Sequence, residues 1–124
     1  ITGFDDIAPT REISGAMTGL SGPRFTAVAG DEVFVSNNGG NSVTVYNVNA
    51  VGDIGPSRTL FGGNTGFSDI KGVAVSSTEL FVANTTDNSI RVFPRNADGN
   101  VFPIRILQGQ ATNMNAVQGI TLVP

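Results

Sequence analysis

The strongest constraint on this chain is an internal repeat of 47 residues. The segment Glu32–Asn37 (EVFVSN) returns 47 positions later as Glu79–Asn84 (ELFVAN). Residues 9–55 align with 56–102 without a gap, and about 18 of the aligned positions are identical. Four residue types recur three times at the same interval: Pro9, Pro56 and Pro103; Arg11, Arg58 and Arg105; Gly15, Gly62 and Gly109; Thr18, Thr65 and Thr112.

The repeated six-residue segment has the pattern of a strand that is covered on both faces. Val33 and Val35 project to one face and Phe34 to the other, because successive side chains of a strand alternate. A strand that is apolar on both faces has to be covered from both sides. Phe34 and its counterpart Phe81 are therefore expected to be among the most buried residues of the protein.

Each repeat contains four short strands separated by turn residues. In chain order they are predicted at 25–29, 32–37, 42–46 and 57–61, and again at 72–75, 79–84, 89–93 and 104–108. The turns between the second and third strands are rich in Asn, Gly and Thr, which is typical of β-hairpins. Further strands are expected at 10–14 and 119–123. No segment has the period and length of a helix, so we expect almost no helix.

Four-stranded antiparallel units at a period of about 40–50 residues are typical of β-propeller blades. The predicted fold class is all-β, with β-propeller-type four-stranded antiparallel blades: two complete 47-residue repeats plus partial repeats at both ends. Residues 1–124 form a single repeat unit. Within it, 1–14 end a preceding blade, 25–61 are blade one, 72–108 are blade two, and 119–123 are the first strand of a following blade.

Two blades do not close a ring, because propellers have about 4–8 blades. We therefore expect the partners to be other copies of this chain or the remaining blades of a larger propeller. A head-to-tail contact gives a ring if its rotation closes and a filament if it does not. The sequence leaves both outcomes open.

The composition of the chain argues against several classes of function. Only 14% of residues are charged, the net charge is −3, and Cys and His are absent. The chain thus lacks the usual general base, thiol nucleophiles and the commonest metal ligands. Net negative charge argues against nucleic acid as a partner, and no apolar run approaches the ~18 residues of a membrane span. Few charges, no Cys and a sequon at Asn84 favour a secreted or cell-surface setting.

The repeated motifs resemble those of a known family. Pro-x-Arg-x-Leu-x-Gly-x-x-Thr-Gly-Phe (56–67), Gly-Val-Ala-Val (72–75), Leu-Phe-Val-Ala-Asn (80–84) and Asn-Ser-Ile-x-Val-Phe (88–93) look like NHL/YVTN-type bacterial β-propeller repeats. Lactonase-like propellers carry related blades. The resemblance spans nearly the whole chain and implies a propeller fold. Lactonase-like propellers bind a central metal through carboxylate and Asn ligands, and four residues here are of that type: Glu32, Glu79, Asn37 and Asn84.

Polar residues that recur in every repeat are expected to serve the structure, because a group needed once for chemistry would not recur in each blade. The three arginines are expected to stack between blades and to bind carbonyl groups of a neighbour. The repeated Asn and Thr residues are expected to hold turns. They are Asn37 and Asn84, Asn41 and Asn88, and the threonines at 18, 65 and 112.

Polar loop residues that break the repeat are the candidates for ligand binding, since loops gather at the ends of a propeller. They are Arg24, Asp69, Lys71, Thr85, Thr86 and Asp87. An alternative prediction for Asp87 is a calcium site that it forms with Asn84 or Asn88.

These observations favour a non-enzymatic propeller module without catalytic residues, metal or cofactor. Its expected role is that of an extracellular structural or binding scaffold, which self-assembles or forms part of a larger propeller. Two alternatives remain open: a fragment of a metal-dependent, lactonase-like hydrolase, and a lectin-like binding propeller.

Overall fold

The computed structural model describes residues 6–123. Their strands form two four-stranded antiparallel sheets, each with its strands in chain order. Blade one contains β1–β4 and blade two contains β5–β8. The strands are β1 (Pro23–Ala29), β2 (Glu32–Asn37), β3 (Ser42–Asn47), β4 (Arg58–Leu60), β5 (Ile70–Val75), β6 (Glu79–Asn84), β7 (Ser89–Pro94) and β8 (Arg105–Leu107).

The predicted all-β fold of two four-stranded blades is thus confirmed. The second strand of each repeat has the predicted bounds, and the other strands differ from prediction by one or two residues at their ends. Regular helix is confined, within residues 6–123, to two 3-10 turns at Gly63–Thr65 and Gln110–Thr112. No helix in the described part of the chain is long and apolar enough to cross a membrane.

The hydrophobic core lies between the two blades, and we call the two sheet surfaces that meet there the inner faces. Blade one contributes Phe34, Val43, Val45 and Leu60, and blade two contributes Ile70, Val73, Leu80, Val82 and Phe93. Phe34 packs beside Val45 on the same face, because these residues are paired in the β2–β3 register. Phe34 is fully inaccessible to solvent because blade two covers this face.

The prediction that Phe81 is as deeply buried as Phe34 is wrong. Phe81 is only partly buried, although it holds the same position in β6 that Phe34 holds in β2. The inner face of blade two carries Leu80 and Val82, so Phe81, between them in sequence, projects to the opposite face. Within the described chain, that outer face has no complete blade to cover it.

The strands predicted at the two ends are not formed as regular strands. Residues 10–14 make a single parallel bridge, from Ile13 to Gly52, which matches the bridge from Leu60 to Gly99 one repeat later. Residues 119–123 carry no strand assignment. Within residues 6–123, neither segment has a second and third strand of its own repeat to pair with. The part of the predicted preceding blade at residues 1–5 lies outside the described residues.

Candidate functional site

All six predicted ligand-binding residues lie at one end of the two blades, which we call the upper end. It is the end at which β2 and β6 finish and at which β1, β3, β5 and β7 begin. Pairing places Pro23 opposite Asn37 and Ile70 opposite Asn84 there. The hairpin turn of each blade therefore lies close to the connection that enters its first strand.

At the junction between the blades, polar groups join the turn of blade one to the connection of blade two. The Asn38 side-chain amide donates to Asp69 Oδ1 at 2.7 Å and to the carbonyl oxygen of Ile70 at 2.8 Å. Lys71 Nζ lies 3.6 Å from Asp69 Oδ2. The hydrogen bond from Asn38, with smaller contributions from Lys71 and Arg24, outweighs burial and holds the pKa of Asp69 below its ordinary value. Asp69 is thus used to link the blades.

Polar side chains in the hairpin turn of blade two make similar hydrogen bonds. The Thr85 hydroxyl donates to the carbonyl oxygen of Val117, and Thr86 Oγ1 accepts a hydrogen bond from Ser68 at 2.9 Å. Thr85 is the repeat counterpart of Asn38, and Val117 is the counterpart of Ile70. The contact between blades one and two is therefore repeated between blade two and the segment C-terminal to it.

Asp87 is enclosed by donors from its own blade. Its carboxylate accepts hydrogen bonds from Asn84 at 2.9 Å, from Ser89 at 2.5 Å and from Arg91 at 2.6 Å. Burial acts to raise the pKa of Asp87, but the hydrogen bonds from these three donors together outweigh burial. The pKa of Asp87 is therefore held below its ordinary value. Since the Asn84 amide donates to Asp87, it presents a nitrogen rather than an oxygen there. Asp87 and Asn84 thus do not have the geometry of a calcium site, and the side-chain oxygen of Asn88, the alternative ligand, accepts a hydrogen bond from the backbone N–H of Ala116.

Asn37, Asn84 and the repeated threonines bind local groups of their own repeat, whereas Asn41 and Asn88 accept hydrogen bonds from the backbone N–H groups of Ile70 and Ala116 in the next segment. Asn37 and Asn84 are buried, and their side-chain oxygens accept from the backbone N–H of Ser21 and Ser68 at 3.1 and 2.7 Å. The repeated threonines donate to the carbonyl oxygens of the repeated glycines three residues earlier at 2.6–2.8 Å. Because Asn84 is only 1% exposed, its sequon is not an accessible glycosylation site and does not support an extracellular setting.

At the opposite, lower end, two of the three repeated arginines form ion pairs that the sequence reasoning missed, and the third, Arg11, donates to the carbonyl oxygen of Val48 at 3.4 Å. Arg58 binds both carboxylate oxygens of Glu32, at 2.6 and 3.2 Å, and Arg105 binds both of Glu79, at 2.6 and 2.9 Å. Arg58 also donates to the carbonyl oxygen of Arg95 in blade two at 3.2 Å. The signal was available, because Glu and Arg recur at the same separation of 26 residues in both repeats.

Arg95 adds a second cation at the Glu32 pair and has no counterpart in the first repeat, where Val48 holds the position. It donates to the carbonyl oxygen of Ala29 at 2.7 Å and lies 3.4 Å from Glu32 Oε1. Its guanidinium and that of Arg58 lie over the Phe34 ring, 5.9 and 5.8 Å from the centroid. The pKa of Glu32 is lowered first by the hydrogen bond from Arg58 and then, against burial, by the charges of both arginines.

The four residues of the lactonase-like ligand set do not converge. Glu32 and Glu79 begin their strands at the lower end, whereas Asn37 and Asn84 finish the same strands at the upper end. Five residues of extended chain separate them by roughly 16 Å. In residues 6–123, no three acidic side chains come together in a way that could hold a metal ion. The resemblance therefore does not carry its metal site over to these residues.

Two open concavities lie on the outer faces, where each blade points away from the other. On blade one, a cavity of about 360 Å³ lies beside Val33, Val35, Tyr46 and the leading segment Arg11–Ile13. On blade two, a cavity of about 400 Å³ is lined by Phe81, Ile90, Val92, Arg105, Ile106, Leu107, Ile120 and Leu122.

Repeat counterparts differ sharply in exposure across these faces. Leu60 on the inner face of blade one is 2% exposed, whereas Leu107 on the outer face of blade two is 54% exposed. Val28, paired with Val33 on the outer face of blade one, is 63% exposed. Leu107 and Val28 are thus open at the two ends of the described structure, whereas Val92 on the outer face of blade two and Val35 and Tyr46 on that of blade one are buried.

Fold and site together define an all-β repeat protein of four-stranded antiparallel blades, with interblade polar links and two open apolar faces. Among solved structures it is similar to hydrazine synthase of Kuenenia stuttgartiensis, with a TM-score of 0.64 and 20% sequence identity. The match covers 90% of this chain and 29% of that protein, so it concerns the fold alone. No protein-family model matches the sequence. A search of curated proteins also finds no match.

Proposed function

We propose that this chain is a non-enzymatic β-propeller repeat module that assembles through its two outer faces. The observation that carries the proposal is the difference between buried Leu60 and exposed Leu107 at equivalent positions. An apolar face that is covered at one junction and open at the next is a surface built for a further blade. The blade can come from another copy of this chain or from the rest of a larger propeller of NHL/YVTN type.

The polar residues support a structural role. Five of the six candidate ligand-binding residues, all except Arg24, make hydrogen bonds or ion pairs inside their blade or to the next segment. The Arg–Glu pairs are duplicated, as expected for groups that hold each blade. We place the module outside the cell, as a structural or binding scaffold, on its low charged fraction of 14%.

Light scattering and negative-stain imaging of the purified chain test the assembly. We expect species larger than a monomer at micromolar concentration, as rings or filaments. Val28→Asp on the outer face of blade one and Leu107→Asp on that of blade two should each reduce assembly, because a charge would be buried in the new junction. Met17→Asp is the matched control, since Met17 is 68% exposed and lines neither outer cavity.

A monodisperse, cooperatively folded monomer would contradict assembly between copies. Metal analysis combined with a lactonase screen tests the hydrolase alternative, and bound divalent metal with turnover would overturn the non-enzymatic proposal. Retention of a sugar on a glycan array would instead favour the lectin-like alternative.

A further inference from the structure

The partial repeats at the two ends lack the same part of the blade. Residues 119–123 correspond to 72–76 around β5, and residues 10–14 correspond to 57–61 around β4. Neither end contains a counterpart of residues 78–94, which carry the β6–β7 hairpin. The element that would complete a blade next to blade two is therefore a hairpin of known pattern.

The junction between blades one and two shows how such a hairpin packs. Leu80 and Val82 of β6 and Phe93 of β7 lie on the inner face of blade two. There they cover Phe34, Val43, Val45 and Leu60 of blade one, all at most 3% exposed. The first strand, β5, covers the same face from its side with Ile70 and Val73.

The outer face of blade two reproduces half of this junction. Phe81, Ile90, Val92 and Leu107 stand at the positions of Phe34, Val43, Val45 and Leu60. Ile120, the counterpart of Val73, already lines the same face. The cavity of about 400 Å³ lies where the counterparts of Leu80, Val82 and Phe93 would sit.

Charge at the lower end is complementary to the same hairpin. In the complete junction, Glu32 receives Arg58 from its own blade and Arg95, which directly follows β7 of the next blade. In blade two, Glu79 binds Arg105. A hairpin with a basic residue after its second strand would give Glu79 its second cation.

We infer that the outer face of blade two binds a β-hairpin of the β6–β7 type. Its requirements are apolar side chains at the positions of Leu80, Val82 and Phe93 and a basic residue at the position of Arg95. The inference rests on the proposed assembly function and names the partner that this face takes.

The test measures binding of a fluorescein-labelled peptide, with the sequence of residues 78–95, to the full 124-residue chain. Fluorescence anisotropy of the peptide reports the binding. We expect saturable binding. A peptide with Leu80→Ser and Val82→Ser should bind at least about tenfold more weakly. The reason is that burial of even one such apolar side chain raises affinity by about tenfold. A peptide with Arg95→Gln should bind more weakly by a smaller factor.

Variants of the chain locate the peptide. Leu107→Ser should weaken binding by about tenfold or more, since Leu107 would be buried under the hairpin. Because Leu107 is more than half exposed in the free chain, this variant should still fold, which circular dichroism checks. Val28→Ser is the matched control, on the outer face of blade one, and should leave the affinity unchanged.

Absence of peptide binding would overturn the inference, as would binding that Val28→Ser weakens and Leu107→Ser does not. If the chain assembles without binding the peptide, the proposed function stands and copies pack by whole faces instead. If it neither assembles nor binds the peptide, both fail.

Discussion

Glu32 contacts two guanidinium groups, whereas its repeat counterpart Glu79 contacts one. This difference between identical residues arises from the neighbour: Arg95 comes from blade two and has no equivalent beyond it within the described residues. Glu32 thus joins the blades, and Glu79 joins only strands of its own blade. Glu79 is therefore a matched control for Glu32 when the free-energy cost of losing an interblade ion pair is measured.

We expect Glu32→Gln to lower the free energy of unfolding by about 1–3 kcal/mol, because hydrogen bonds to a charged group are lost while two partly buried cations remain side by side. Glu79→Gln should cost less, since its partner Arg105 is mostly solvated and the pair is screened. Urea unfolding at pH 7 measures both variants. Equal losses would show that the contact with Arg95 does not stabilise the chain.

The two repeated phenylalanines provide a second comparison. Phe34→Ala should lower the free energy of unfolding by about 3–5 kcal/mol, as expected for a fully buried aromatic ring. Phe81→Ala should cost clearly less in the monomer, because water already reaches the Phe81 ring. Chemical denaturation below the concentration at which the chain assembles makes the comparison. A loss at Phe81 as large as that at Phe34 would mean that the outer face of blade two is covered in solution.

At the scale of elements, each blade is linked to the next segment of the chain by its hairpin turn and by close packing of a strand. Asn38 and Thr85 make equivalent contacts to the next segment. Gly72 in β5 lies against the backbone of residues 118–120. The counterpart of Gly72 in β1 is Phe25, so a side chain is compatible with the strand itself at this position.

Gly72→Ala should therefore displace the segment 118–123 without disrupting β5, because the added methyl group would clash with the carbonyl oxygen of Gln118. We expect faster proteolytic cleavage within that segment, with amide protection in β6 and β7 unchanged. Gly63→Ala is the control, since a methyl group there meets no atom within 4 Å. An unchanged cleavage rate at 118–123 would show that the segment does not rest on β5 in solution.

For the whole molecule, the acidic groups determine the dependence of stability on pH. Four carboxylates have pKa values held below their ordinary ones: Glu32, Asp69, Glu79 and Asp87. Each stabilises the folded state when it is ionised. Its contribution is fully present above the pKa of the unfolded chain, 4.5 for Glu and 3.8 for Asp, and is lost as pH falls through the lowered value.

We therefore expect the free energy of unfolding to be nearly constant between about pH 5.5 and 8, where a chain without His has no side chain to titrate. It should decline below about pH 4.5 as the four carboxylates become protonated. Urea unfolding across this range measures the profile, and Glu32→Gln should flatten its acidic limb. A maximum of stability below pH 4 would contradict the ion-pair assignments.

The sequence by itself determined the blades. The alternation of Val33, Phe34 and Val35, the hairpin turns and the 47-residue period depend on local geometry, so they specified strands, pairing and all-β class. They also identified Asp69 and Thr85 as exceptions to the repeat. These residues prove to lie at junctions, where Thr85 makes the contact that its counterpart Asn38 makes one repeat earlier and Asp69 accepts a hydrogen bond from Asn38.

Only the tertiary structure decided which copy of a repeated residue is buried. Phe34 and Phe81, and Leu60 and Leu107, have the same local sequence but different neighbours in space. It also decided the partners of Glu32 and Asn37, which the sequence had offered as metal ligands: Glu32 binds Arg58, and Asn37 binds Thr44 of its own blade. Burial and charge pairing depend on the adjacent blade, and a blade's own sequence does not contain its neighbour.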